Sequence, residues 1–168
     1  DEILSYVDFE DNPQSINPAS NYVYSSNNQP DTIAGVLYPG YYLPEDRGQR
    51  IEQLLEVKND WTQEDVQQMI FDVTSPVVPQ VIANLVASIK TENFTKNEQE
   101  ALQNLKDWNG EYKKEDTAPT IYNRFLYEFL EGTFKDELGE SFPMFMQTPL
   151  MKKMIAVQAK KAVSVWFD

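Results

Sequence analysis

The 168 residues contain no cysteine and no histidine, and these two absences exclude more chemistry than any motif suggests. Without cysteine there is no disulfide framework and no thiolate metal site. Without histidine, neither a Ser-His-Asp nor a Cys-His device can be built inside the chain, and the usual zinc sites are excluded with them. Basic residues are scarce: 14 Lys and Arg face 27 Asp and Glu, a formal charge of −13. That balance argues against nucleic acid or an anionic membrane as partner. No apolar run approaches the ~18 to 20 residues of a membrane span, and the first residues lack the order of a signal peptide. No fixed-period repeat and no low-complexity tract is present.

What is there reads as one globular domain. The hydrophobic fraction is 41% and the aromatic fraction 12%, and a chain near 150 residues buries about 70% of the surface exposed when unfolded. Pro13, Pro18, Pro30, Pro39 and Pro44 punctuate the first 44 residues, which read as short β strands and ordered loops. Tyr22-Val23-Tyr24 alternates with small polar residues as an edge strand would. From residue 45 to 168 the apolar period becomes helical. Ile51, Leu54 and Leu55 share a face; Thr62 and Asp65 form a capping pair ahead of Val66, Met69 and Ile70; Val78, Val81, Ile82, Leu85, Val86 and Ile89 recur at three- and four-residue spacing. Thr95 with Glu98 is a second capping signature, and Trp108-Asn109-Gly110 ends that helix. A further helix starts near Pro119, with Ile121, Phe125, Leu126, Phe129 and Leu130 inward. The run 142–146, Phe-Pro-Met-Phe-Met, is expected to pack as a buried loop or short turn, and a last helix begins at Thr148-Pro149. The fold class is mainly α: about five to six helices on a small N-terminal β/loop base.

Residues 17–50 carry an ordered series of motifs: Asn17-Pro18, the Tyr-Val-Tyr strand, Asn27-Asn28-Gln29-Pro30 at the strand end, an aromatic loop at 38–42, and Asp46-Arg47 before a helix. Arg50-Ile51 with Leu54-Leu55, the 62–72 segment, and Leu105-Lys106-Asp107-Trp108-Asn109-Gly110 continue it. The series resembles the large chain of the penicillin acylase family of N-terminal nucleophile hydrolases over roughly residues 12 to 135. Departures are Asn21 where that family usually has Gly, Ser25-Ser26 where Thr-Ala is common, and Asn109 where Asp is common.

The resemblance implies an internal fragment of a larger enzyme, an α+β hydrolase of linear N-acyl amides that works through an acyl-enzyme. The family's nucleophile is a Ser, Thr or Cys at the processed N-terminus of its large chain, whose α-amine is the base. An α-amine, with an ordinary pKa of about 7.7 to 8.0, suits that role at neutral pH without histidine. Both ends of this chain look cut, with Asp1 at one and Val165-Trp166-Phe167-Asp168 at the other, so the nucleophile is expected outside it and the isolated fragment is expected to be inactive. By resemblance Asn27 is the side-chain donor of the oxyanion hole, and Arg47 orients the nucleophile's amine and the oxyanion region. Arg50 competes with Arg47, because a helix starting one turn later would exchange their faces. No cofactor is expected in this chain; a calcium ion is implied for the full-length enzyme, its ligands mostly on other segments. Expected partners are the remaining segments of the precursor, including a small chain, and the amide substrate. A periplasmic or secreted, autoprocessed protein follows from the resemblance alone. The acyl group stays open between an aromatic one, as in β-lactam antibiotic side chains, and a fatty chain, as in acyl-homoserine lactones.

Other readings stand beside these. Asn27-Asn28 also suits a turn cap, and Arg47 a surface ion pair with Glu45 or Asp46. Asn28 is expected to brace the loop. Tyr38, Tyr41 and Tyr42 line a cleft mouth or simply pack, and Met144, Met146, Met151 and Met154 fill the core. Asn93-Phe94-Thr95 fits the glycosylation pattern, but Thr95 is already assigned to a cap. Glu45-Asp46 and Glu115-Asp116 lack calcium-loop spacing. As an alternative to the enzyme, the chain would be a non-enzymatic helical module that binds proteins.

Overall fold

The computed structural model describes residues 6–30, 32, 37–149, 151, 155, 158–161 and 163–167. It divides into two compact units, Asp1–Thr62 and Gln63–Asp168, so the first helix belongs with the N-terminal loops. The chain is mainly helical.

In the first unit a 3-10 turn, Phe9–Asp11, precedes a long irregular segment that ends in helix α1, Asp46–Leu55. Among the described residues no strand forms here, and Tyr22-Val23-Tyr24 is irregular. Alternation sets which side each residue faces, whereas a strand exists only by bonding to a neighbour, and no second extended segment in the described residues supplies one. The irregular segment is held instead by left-handed asparagines. Asn17, Asn21 and Asn27 have φ of 47°, 60° and 61°, and asparagine is one of few L-residues that tolerate this region.

The second unit is a helical assembly: α2, Gln63–Ile70; α3, Val78–Val86; α4, Lys96–Asp107; α5, Ala118–Leu138; and α6, Phe142–Met146, reached through a 3-10 turn, Gly139–Ser141. Each start follows from local chemistry. Helix α2 begins directly after Thr62. Pro79 and Pro119 sit in the first turns of α3 and α5, where the missing N–H has no partner to lose. At α4 the capping box is complete: Thr95 N donates to Glu98 Oε2 at 2.7 Å, and Glu98 N to Thr95 Oγ1 at 3.3 Å. The Thr95 hydroxyl, which donates to Glu98 Oε2 at 2.7 Å, and then the Thr95 N–H hold the Glu98 carboxyl below its ordinary pKa.

Helix α4 packs on both α3 and α5, and α6 folds back on α5. Val78, Val81, Ile82 and Leu85 of α3, Leu105 of α4, and Tyr122, Leu130 and Phe134 of α5 are buried in one core, Leu130 completely. Trp108, just past α4, is 4.9 Å from the ring of Tyr112 and 5.5 Å from that of Tyr122, and its indole donates to Glu111 O at 2.8 Å. Beside it Ser75 N donates to Gly110 O at 2.9 Å and Tyr112 N to Val73 O at 3.2 Å, the isolated bridge that ties the α2–α3 link to the α4–α5 link.

In the second unit one expectation changes. Residues 142–146 form a short helix, not a loop, because Pro143 falls in its first turn, where proline is tolerated. Phe142 is buried there and Phe145 lies 5.4 Å from the ring of Phe134. Met146 and Met151 pack against the core while Met144 is exposed; Met154 lies outside the described residues. Of the helix expected from Thr148-Pro149, the described Met151, Ile155 and Gln158 are helical.

Candidate active site

The site lies within the first unit, where the turn at residues 26–29 meets the start of α1. Asn28 builds the turn: its Oδ1 accepts from Ser26 N at 3.2 Å and from Ser26 Oγ at 3.0 Å. This is the local side-chain-to-backbone bonding that makes asparagine a turn former. Ser26 is 3% exposed. Two cross-links fix the turn from outside: Leu43 N donates to Asn27 O at 2.8 Å, and Gln29 Nε2 to Tyr38 O at 2.9 Å. Tyr38 in turn donates its hydroxyl to Asn12 Oδ1.

Arg47, in the first turn of α1, closes the arrangement. Its Nη2 donates to Ser26 O at 2.7 Å and to Asn27 Oδ1 at 2.8 Å. The two side chains singled out from sequence, twenty residues apart, are therefore hydrogen-bonded to each other. Because a guanidinium only donates, the atom of Asn27 that faces it must be the carbonyl oxygen, and the amide NH2 points the other way. Among the described residues that NH2 donates to no acceptor, and Asn27 is solvent-exposed. Arg50 is turned elsewhere, with Nη1 donating to Gln53 Oε1 at 3.3 Å.

Gly48 was missed by sequence reasoning. It is buried, and a Cβ built on it would stand 2.8 Å from Ser26 Oγ. A glycine inside a helix pattern is the only signal, and that signal does not say what comes close.

An open cleft of about 740 Å³ runs along the Asn28 side of the turn, lined by Gln14, Tyr22, Tyr24, Asn28, Glu45 and Glu52 among others. Partial burial, then the carboxylates of Glu56 and Glu52, raise the pKa of the Tyr22 phenol. Tyr41 is exposed, and Tyr42 donates to Pro39 O at 3.3 Å. The described residues bring no three carboxylates together that could hold a metal ion, so no step is assigned to calcium here. Asn93 is exposed and Thr95 is occupied as the cap.

A model of the penicillin amidase family matches residues 1–168, the whole chain. The chain belongs to the penicillin amidase family. Membership makes the full-length protein an acylase-like amide hydrolase. No solved structure matches the chain. In a penicillin amidase, chemistry that develops negative charge on a carbonyl oxygen calls for N–H donors held in place beforehand.

Proposed function

We propose that this chain is the part of a penicillin-acylase-like amidohydrolase that supplies the oxyanion donor, Asn27, with the nucleophile on another segment of the precursor. The single observation that carries this reading is the Arg47 to Asn27 Oδ1 hydrogen bond, which leaves the amide NH2 outward and without an acceptor among the described residues. A side chain that merely stabilised its own turn would bond within it. The oxygen of Asn28 does that, accepting twice from Ser26 two residues back, whereas the oxygen of Asn27 is held from the helix.

The steps follow from this assignment. An N-terminal Ser, Thr or Cys attacks the carbonyl carbon of a linear amide while its α-amine takes the proton. The carbonyl π electrons move to oxygen, and the resulting oxyanion accepts from Asn27 Nδ2–H and a backbone N–H. Collapse breaks the C–N bond, and the amine leaves with the proton. Water then repeats the sequence on the acyl-enzyme, releasing the acid. Arg47 touches no reacting atom in this scheme; it fixes the orientation of Asn27.

The test is Asn27→Ala in the full-length enzyme. Loss of one such donor costs about 10² to 10³ in kcat, with KM little changed because the interaction strengthens only in the transition state. A kcat within a few-fold of wild type, measured per titrated active site, would sink the assignment.

A further inference from the structure

We propose that Gly48 is a positioning residue for the oxyanion donor: the missing side chain lets α1 come close enough to the 26–29 turn for Arg47 to hold Asn27. This rests on reading Asn27 as that donor. Glycine is a poor helix residue, and Gly48 is needed for space, not for backbone freedom, since its φ is not in the left-handed region. A Cβ at this position would lie 2.8 Å from Ser26 Oγ, 3.5 Å from Tyr24 Cε2 and 3.7 Å from Asn28 Cγ. The last two are ordinary contacts. The first is not, and Ser26 Oγ has little freedom to yield: Ser26 is buried and its hydroxyl donates to Asn28 Oδ1. Either the hydroxyl swings away and the turn loses a brace, or the turn and α1 separate. Separation acts on the preceding residue of the helix, because the carbonyl of Ser26 and the side chain of Asn27 are the two acceptors of Arg47. Helix, turn and donor thus move as one piece whose spacing is set at Gly48.

The geometry also names its own rescue. Ser26→Ala removes the one atom a Cβ at position 48 would strike, while keeping the backbone bond from residue 26 to Asn28 Oδ1. In the full-length enzyme, with kcat counted per titrated active site, Gly48→Ala is expected to lower kcat about tenfold or more with KM unchanged, since displacements toward 1 Å cost about 10²-fold. Ser26→Ala alone measures the loss of that brace and sets the baseline, and the double variant should return to the level of Ser26→Ala, well above Gly48→Ala, a strong non-additivity between neighbours. A wild-type kcat for Gly48→Ala, or a double variant no better than Gly48→Ala, overturns the proposal. If Gly48→Ala yields no soluble enzyme, the double variant decides alone: activity at the Ser26→Ala level supports the proposal, and activity well below it overturns it. Asn27→Ala run in parallel separates the two levels. If it leaves kcat intact, the reading of Asn27 fails; if it lowers kcat while the Gly48 cycle is flat, only the spacing role of Gly48 fails.

Discussion

Replacing Gly110 by alanine should open the bridge between the two links of the helical unit. Gly110 has φ of +88°, and a Cβ there would stand 2.2 Å from the carbonyl oxygen of Ser75, with Pro79 Cδ at 3.3 Å. Two costs follow. A left-handed conformation costs an ordinary L-residue about 1 to 2 kcal/mol. The clash is with backbone, which has no rotamer to change, so the segments must part and lose the bonds Ser75 N to Gly110 O and Tyr112 N to Val73 O. Each such bond contributes about 0.5 to 1.5 kcal/mol. Together these give roughly 2 to 5 kcal/mol, and at about 1.4 kcal/mol per tenfold the low end already means ~30-fold more frequent opening. Amide hydrogen exchange in the full-length protein reads this locally, at Ser75 and Tyr112. Gly110→Asn divides the two costs, because asparagine tolerates the left-handed region but carries the same Cβ. Both variants should lose protection, alanine more. Wild-type protection in Gly110→Ala would refute the argument as a whole, and full protection in Gly110→Asn would refute the steric part.

Three further outcomes are expected. Arg47→Ala should lower kcat by about tenfold with little change in KM, the lower end for a charge-assisted bond at an exposed site; combined with Asn27→Ala it should add nothing, and additive losses would show that Arg47 acts independently of Asn27. The Glu98 carboxyl is held below its ordinary pKa by its bonds from Thr95, so its stabilisation of α4 is complete above the unfolded pKa and is lost as pH falls through the lower folded value; protection of the Glu98 and Gln99 amides, corrected for intrinsic rates, should fall only below the ordinary glutamate range, and Glu98→Gln should abolish that dependence. Gln158 is 2% exposed and its Oε1 has no hydrogen-bond partner among the described residues; a buried orphan of this kind costs about 1 to 3 kcal/mol, so Gln158→Met should raise the thermal midpoint or leave it unchanged, and a clear fall would mean that Oε1 has a partner.

The helical unit was largely legible because its signals are local. Three- and four-residue spacing marked α3 and α5, and the Thr95-Glu98 pair marked the start of α4 to the residue. Residues 142–146 read as a loop because proline breaks a helix in its interior, whereas in the first turn, where Pro143 falls, it does not. The Tyr22-Val23-Tyr24 stretch misled for the opposite reason: its pattern is right for a strand, but pairing is a property of two segments, and one was in view. In the site, Asn27 and Arg47 could be named from the order of motifs, yet their contact depends on the approach of α1 to the turn. That approach is set at Gly48, by the absence of atoms, and an absence has no pattern of its own in one sequence.

The left-handed backbone of Asn27 leaves this position almost without mutational neighbours. Glutamine would keep the amide but suits the backbone poorly and carries its donor one carbon farther out. Glycine would keep the backbone and discard the donor. Aspartate tolerates the backbone and matches the shape, yet in the proposed role it would set a negative charge against the developing oxyanion, and would leave Arg47 paired too well to share. Drift at residue 27 by small, nearly neutral steps is therefore closed off, and any functional replacement has to be assembled on a different part of the surface.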